Sequence, residues 1–324
     1  MLDHYGRNID YLRISVTDRC NLRCVYCMPE MEIKNLKHED ILSYKEILTV
    51  VKAASKLGIR KIKITGGEPL LRKGIVNLVR SIKAVKGIEQ VTMTTNGILL
   101  GEMAEELFHA GLISVNISID TLNSTSFCRI TRRDCFHKVL QGLRKPVEAG
   151  LKTKINCVPI KELNGTDLMG LLDIAWLYPV DIRFIELMPV GLGKAYTPVP
   201  NEKIFKEIEQ CFGTLKPSEK NHGNGPAKYY SLEGYKGSIG FISAITNEFC
   251  GDCNRIRFTA DGDLKLCLHY NKGIALKPLL RNGISRDRLK KIMGDAIYNK
   301  PEHHGFNGDN TENQDMRKMV QIGG

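Results

Sequence analysis

Residues 11–30 read YLRISVTDRCNLRCVYCMPE. A short β-branched run, 11–16, passes into a polar loop carrying Cys20, Cys24 and Cys27. Similar strand-like runs recur at 60–65, 90–95, 114–119, 153–158 and 181–187. Helix-period segments lie between them, at 44–57, 74–85, 101–109, 138–148 and 165–177. Gly58, Gly87, Gly111 and Gly150 each follow one of these segments near its end, where glycine supplies a left-handed stop. Six βα units in a row predict a parallel sheet with helices outside it. Right-handed crossovers curl such a sheet into a full or partial parallel (β/α) barrel. The unusual residues fall just after the strands: the cysteine loop, then Gly66-Gly67-Glu68-Pro69, Thr95-Asn96-Gly97, Ser118 and Asp120, and Glu186, Met188 and Pro189. A barrel gathers these strand ends on one face, so the chemistry is expected there.

Beyond residue 190 the pattern changes. A helix is expected at 201–211, a turn-rich linker at 217–228 and short strands at 229–243. The expected division is a barrel over 1–215 and a C-terminal α+β extension over 216–324. Residues 300–315 are polar and read as a mobile surface tail.

Composition narrows the class. Of 324 residues, 42% are hydrophobic and 26% charged, ordinary globular usage that argues against a disordered chain. No apolar run reaches the ~18 residues of a spanning helix, and the N-terminus has no apolar signal region. A cytoplasmic location is expected. The net charge of +11 attracts anions. The basic residues are scattered inside apolar runs such as RKIKITGGEP, which favours a small anionic ligand in a pocket over nucleic acid on a surface.

Ten cysteines in such a chain point to metal or redox sites more than to disulfides. Six form two triplets. Cys128, Cys135, Cys157 and Cys211 have no metal spacing and read as packing or surface thiols. Cys20-x₃-Cys24-x₂-Cys27 suits an iron–sulfur cluster: three thiolates on four irons leave one corner open for a reactant. Zinc is the alternative, but its closed sites want four ligands and no histidine lies nearby.

This loop resembles the signature of the radical S-adenosylmethionine (SAM) superfamily, with Tyr26 as the aromatic residue before the third cysteine. GGEP at 66–69 is similar to that superfamily's SAM-contacting turn. The resemblance implies that SAM chelates the open iron and that a reduced cluster generates a 5′-deoxyadenosyl radical from it. By position, Tyr26, Gly67, Ser118 and Met188 would contact SAM.

The second triplet, Cys250-x₂-Cys253-x₁₃-Cys267, begins with a knuckle and returns after a hairpin around Asp261-Gly262. His269 offers an alternative reading as the fourth ligand of a zinc site, sharing a strand face with Cys267. Arg255 and Arg257 flank Ile256 and point one way at strand period, where guanidinium forks suit phosphate.

The two triplets, the RIR segment, TTNG, KINCV, IELMPVG, LKPLLR and the terminal Gly323-Gly324 resemble, over nearly the whole chain, the GTP 3′,8-cyclase family of molybdenum cofactor biosynthesis. That resemblance implies two [4Fe-4S] clusters, SAM as cofactor and GTP as substrate. Arg13, Lys63, Thr94, Lys154, Arg255, Ile256 and Arg257 would contact GTP. The family more often has Arg where this chain has Lys63, which keeps the charge but loses the bidentate fork. The reaction implied is abstraction of the ribose 3′ hydrogen and coupling of C3′ to guanine C8, with Cys20, Cys24, Cys27, Arg13, Arg255 and Arg257 as its catalytic residues and Cys250, Cys253 and Cys267 as ligands of the second cluster. An external donor such as flavodoxin or ferredoxin, a homodimer, a cyclic pyranopterin synthase next in the pathway, and a C-terminal Gly-Gly tail threading into the cavity are further implications. Neither nucleic acid nor a membrane is an expected partner.

Two other readings compete. One is a radical SAM enzyme that modifies a peptide. The other is a zinc-stapled nucleic-acid-binding protein. Arg72 and Lys73 read as a solvated helix start, and His303-His304 as surface residues.

Overall fold

The structure, a computed structural model, describes residues 1–30, 35–223, 225–306 and 314–323. Its twelve strands are β1 (Tyr11–Ser15), β2 (Lys61–Thr65), β3 (Gln90–Thr95), β4 (Ser114–Ser118), β5 (Lys152–Cys157), β6 (Asp181–Ile185), β7 (Lys216–Pro217), β8 (Lys228–Ser231), β9 (Ile239–Ile242), β10 (Arg255–Phe258), β11 (Asp263–Lys265) and β12 (Gly273–Ala275). They form one sheet in the order β12-β11-β10-β1-β2-β3-β4-β5-β6-β9-β8-β7. From β10 to β9 every neighbouring pair is parallel, and an antiparallel hairpin hangs on each side. Among the described residues β7 and β12 do not pair, so the barrel is partial. The sheet also runs across the 215/216 boundary, because β9 joins β6 and β10 joins β1.

The helices are α1 (Tyr44–Lys56), α2 (Ile75–Lys83), α3 (Leu100–His109), α4 (Ser124–Thr131), α5 (Phe136–Glu148), α6 (Leu172–Leu177), α7 (Asn201–Phe212), α8 (Leu276–Arg281), α9 (Arg286–Tyr298) and α10 (Met319–Ile322). The four anticipated glycine stops all have positive φ, between 87° and 95°.

Alternation along the strands sorts the side chains. Leu12, Ile14, Ile62, Ile64, Val91, Met93, Ile155, Ile182 and Phe184 are fully buried and belong to one apolar cluster with the helices. The opposite parity carries Tyr11, Arg13, Lys63, Thr92, Thr94, Asn116, Lys154, Asn156, Asp181 and Arg183. A closed (β/α)₈ barrel fills its inside with apolar layers. This open one keeps its inner face polar, which suits a ligand there.

Three expectations need correction. The helix expected at 165–177 is cut to α6, because Asn164 ties the preceding turn: it accepts from Ile160 N at 2.8 Å and donates to the Asp120 carbonyl at 2.8 Å. α4 was not anticipated, its sequence STSFCRIT being poor in helix formers. It starts on Asn123, whose side chain accepts from Ser126 N at 2.9 Å. The 300–315 segment is no free tail where it is described: Lys300 and Asp315 are buried, and Asp315 pairs with the buried Lys265. Residues 307–313 of that segment lie outside the described residues.

Candidate active site

A loop that must present three thiols to one point needs its backbone fixed from several sides. The Cys20–Cys27 loop is so held. Gly67 N donates to Thr17 O at 2.6 Å and Glu68 N to Arg19 O at 2.7 Å. Arg23 N and Val25 N donate to Thr131 O and Ile130 O at the end of α4, both at 2.9 Å. Arg132, the one non-glycine residue at positive φ among those described, sends Nη1 to Met28 O at 3.2 Å. Tyr26 donates its hydroxyl to Asp120 Oδ2 at 2.6 Å, joining the loop to the end of β4.

The GGEP glycines line the hollow and also serve the loop. A Cβ on Gly67 would sit 2.3 Å from Arg19 O, and one on Gly66 2.7 Å from Thr17 O. The close approach is to the cysteine loop's own backbone, and the Gly67 N–H is already spent on it. Glu68 continues the clamp. Its carboxylate accepts from Thr95 Oγ1 at 2.7 Å, Asn96 N at 2.7 Å and Leu70 N at 3.0 Å. Burial raises its pKa to about 7 despite those three donors.

The thiols are unpaired. Burial raises the pKa of Cys20 to about 11 and of Cys27 to about 12, and that of Cys24 also rises, with neighbouring thiols and Asp120 adding to it. Such thiols hold their protons until a metal displaces them. At the second triplet, burial pushes Cys253 up, but Lys300 and Arg255 outweigh it and its pKa is lowered. Cys250 is raised by burial and by the neighbouring thiols.

Both triplets face one hollow. Cys20, Cys24, Cys27, Cys250, Cys253 and Cys267 all line it, with Arg13, Tyr26, Gly67, Thr94, Ser118, Met188, Arg255 and Arg257. The space, open mouth included, is ≈ 2170 Å³. Free thiols in two groups of three, all lining one cavity, are a donor set that fits two iron–sulfur clusters.

The floor is cationic. Arg13 stands in register with Lys63 on one side and Arg257 on the other. Burial lowers the Arg13 pKa to about 10, with Arg255 and Arg183 adding to the shift. Lys63 is pushed well below its ordinary value by burial, then by Arg183, Arg13, Lys154 and Arg255. Arg257 is lowered by burial and by Arg13 and Arg255. Arg13 Nε and Arg183 Nε and Nη2 are buried without a hydrogen-bond partner among the described residues. Concentrated positive charge with orphaned donors is a site built for an anion.

Not every expected contact reaches the hollow. Lys63 and Lys154 do not line it. Lys154 is held by Asp181 Oδ2 at 3.3 Å, Tyr229 Oη at 3.0 Å and the His222 carbonyl. The Ile256 side chain is fully buried on the opposite strand face, so only its backbone is available to a ligand. His269 lies beyond β11, packed against Phe306 and Tyr270 at 4.6 and 4.7 Å between ring centres, and does not line the hollow with Cys267. Arg72 is no solvated helix start. It donates to Val16 O at 2.6 Å and Leu42 O at 2.5 Å and lies 4.3 Å from the Tyr44 ring centre. His304 is half-buried in the wall, linked to the Ala244 carbonyl at 2.8 Å.

Arg183, Glu68 and Arg7 were not singled out from sequence. Arg183 has a visible signal: it is a cation in the middle of the apolar strand DIRFI, in register with Asn156. Arg7 has none. Its guanidinium fastens Cys250 O (2.9 Å) to Glu302 O (2.7 Å) and Pro301 O (2.7 Å), contacts that only the folded chain creates. The chain's end also enters the cavity region. Met319 and Val320 line it, and Gly323 O accepts from Arg257 Nη1 at 2.7 Å. A Cβ on Gly323 would come within 2.8 Å of Ser15 Cβ. Gly324 lies outside the described residues.

Comparison with known proteins agrees with this geometry. Residues 14–175 match the family model of the Radical SAM superfamily, and residues 180–306 match Molybdenum Cofactor Synthesis C. A GTP 3′,8-cyclase of Clostridium perfringens (strain SM101 / Type A) is 47% identical over 324 residues, covering 100% of both chains. That of Desulforamulus reducens is 47% identical over 329 residues, again covering 100% of both. The chain belongs to the GTP 3′,8-cyclase family of radical SAM enzymes. It is an enzyme of molybdenum cofactor biosynthesis that works with SAM and an iron–sulfur cluster. Among solved structures, Streptococcus suis SuiB bound to S-adenosylmethionine has a TM-score of 0.64 at 18% identity, covering 92% of this chain and 67% of that one. That likeness concerns the fold. No helix among the described residues is long and apolar enough to cross a membrane.

Proposed function

We propose that this chain converts GTP to 3′,8-cyclo-7,8-dihydroguanosine 5′-triphosphate in the cytoplasm, using two [4Fe-4S] clusters. The reading rests on one observation: two thiol triplets and a layer of guanidinium groups face the same hollow. The barrel, 1–215, would carry the first cluster on Cys20, Cys24 and Cys27 and hold SAM with Tyr26, Gly67, Ser118 and Met188. The extension, 216–324, would carry the second on Cys250, Cys253 and Cys267. SAM on the reduced first cluster supplies the deoxyadenosyl radical chemistry of the family. An external donor such as flavodoxin or ferredoxin supplies electrons.

The chain's own residues then orient and enclose. Arg13, Arg255 and Arg257 hold the triphosphate as forks, and Arg183, which like Lys63 and Lys154 does not line the hollow, would turn its orphaned donors to join them. Lys63 and Lys154 add charge from below, Lys154 by turning from Asp181, and Thr94 and the Ile256 backbone add neutral contacts. The wall between Cys250 and Lys300, fastened by Arg7, and the segment ending at Gly323 keep water from a reactive centre. The chain is read as a homodimer that passes its product to a cyclic pyranopterin synthase.

The test is anaerobic turnover of the reconstituted, reduced protein with SAM and GTP. A cyclised nucleotide is expected, with 5′-deoxyadenosine forming only when GTP is present. Deoxyadenosine formed equally without GTP, and no nucleotide product, overturns the reading.

A further inference from the structure

Beside the second triplet lies a group of metal-binding atoms of which the cyclase reading uses only Cys250. One ligand atom each from Glu248, Cys250 and His303 lies within 4.8 Å of the others. The two neighbouring histidines differ. His304 is committed through both ring nitrogens, one accepting from Phe306 N at 3.3 Å and the other against the Ala244 carbonyl at 2.8 Å. His303 has Nδ1 3.8 Å from Glu248 Oε2 and Nε2 3.5 Å from Glu302 Oε1. A histidine with one ring nitrogen 3.8 Å from a cluster carboxylate and the other 3.5 Å from a second carboxylate needs only a small side-chain shift to take the outer-shell arrangement of metal-binding histidines.

We infer that Glu248, Cys250 and His303 form a mononuclear site for a borderline divalent cation of the zinc type, exclusive with an iron–sulfur cluster because both need Cys250. The donor set is chemically suited. A thiolate, a neutral imidazole and a carboxylate give a neutral complex with a divalent ion, and such S/N/O sets favour zinc over harder cations. Binding releases the Cys250 proton. Water fills the fourth position, since three protein ligands are available. The site opens on the hollow: Cys250 and His303 both line it. A chain that lacks or has lost its second cluster therefore captures zinc there, and the captured ion blocks rebuilding of the cluster. That last consequence rests on the cyclase reading; the zinc site itself does not.

The experiment uses the full chain carrying Cys20→Ala, Cys24→Ala and Cys27→Ala, stripped of iron, reduced and titrated with Co²⁺, then with competing Zn²⁺. Expected is one Co²⁺ per chain with an intense sulfur-to-cobalt charge-transfer band and tetrahedral ligand-field bands. Glu302→Gln weakens binding by roughly 10-fold. His303→Ala and Glu248→Gln weaken it by more, whereas Cys253→Ser and Cys267→Ser leave it. His303 is largely exposed, so its replacement tests the site without testing folding. If His303→Ala and Glu248→Gln change nothing while Cys253→Ser or Cys267→Ser abolishes the band, the thiol triplet binds the metal and the inference is overturned. Absence of a thiolate band overturns it too. With the first triplet intact, zinc-loaded chain should reconstitute to about 4 irons and the His303→Ala chain to about 8, as one or two cubanes require. If neither chain exceeds about 4 while the cobalt site is present, the two-cluster reading fails and the zinc site stands.

Discussion

Arg13 and Arg257 are Cα partners on the adjacent parallel strands β1 and β10, so two guanidinium groups leave neighbouring backbones toward one cavity. Like charges side by side are destabilising unless an anion joins them. Tripolyphosphate or GTP should therefore raise the melting temperature of the protein, and added salt should erode the rise. Arg183→Ala should weaken GTP binding by about 10-fold or more, corresponding to one charge-assisted hydrogen bond of roughly 1.5–3 kcal/mol. Calorimetry at two salt concentrations reads both effects, and an Arg183→Ala chain that binds GTP as tightly as the parent removes Arg183 from the site.

The depressed pKa of Lys63 sets a pH dependence. The folded chain binds this proton less tightly than the unfolded chain, whose value is near 10.5. Unfolding then takes up a proton in the window below 10.5, so stability rises with pH across it. Lys63→Met should flatten that rise in the ligand-free protein. GTP binding should draw a proton onto Lys63, detectable as a buffer-dependent binding enthalpy that Lys63→Met abolishes.

Glu68 runs the opposite way. Its folded pKa, about 7, lies above the ordinary 4.5, so its contribution is complete below 4.5 and is lost as pH rises through 7. Glu68→Gln should remove that slope. It should also destabilise the protein by roughly 1–3 kcal/mol, because an amide N–H₂ cannot accept from Asn96 N or Leu70 N. Denaturant midpoints at pH 5 and pH 8 measure both.

Gly67→Ala should cost the first cluster its loop. The new methyl meets Arg19 O at 2.3 Å, and neither backbone has a flexible side chain to yield. Iron in the reconstituted chain should fall from about 8 to about 4 per molecule, while the second site keeps its signal. Gly283→Ala, with nothing within 4 Å but a φ of 73°, should cost modest stability and no iron. Equal iron in both variants would contradict the clamp.

The two triplets should separate by function. Cys24→Ala should abolish SAM cleavage, and Cys253→Ala should leave uncoupled cleavage while losing cyclisation. Quantifying deoxyadenosine and nucleotide product in the same reaction distinguishes them. Equal loss of both activities with an intact first cluster contradicts separate roles.

The barrel was legible because its period is local. KIKIT shows its alternation in five residues, and β2 falls at Lys61–Thr65. The cysteine spacings were legible for the same reason. What escaped was whatever depends on partners distant in sequence. Glu68 looks like one letter of GGEP until Thr95 and Asn96 fold against it. Arg72 looks solvated until Val16 and Leu42 offer their carbonyls. Ile256 shared a motif with Arg255 and Arg257, but strand parity turns its side chain away. Lys300 and Asp315 sit in a polar stretch that composition alone assigns to the surface, and it is Leu266 O and Lys265 that bury them.

The pairing of β10 with β1 has a consequence for synthesis. Asn254 and Asp10 meet across 244 positions, so the edge of β1 has no neighbour on that side until nearly the whole polypeptide has left the ribosome. Contacts so remote in sequence form slowly, and an uncovered strand edge invites aggregation. During that interval the three early thiols are made while the Cys250–Cys267 part of their chamber does not yet exist. Oxygen has its freest access to them at birth, which makes the order of translation and metal delivery part of this protein's chemistry.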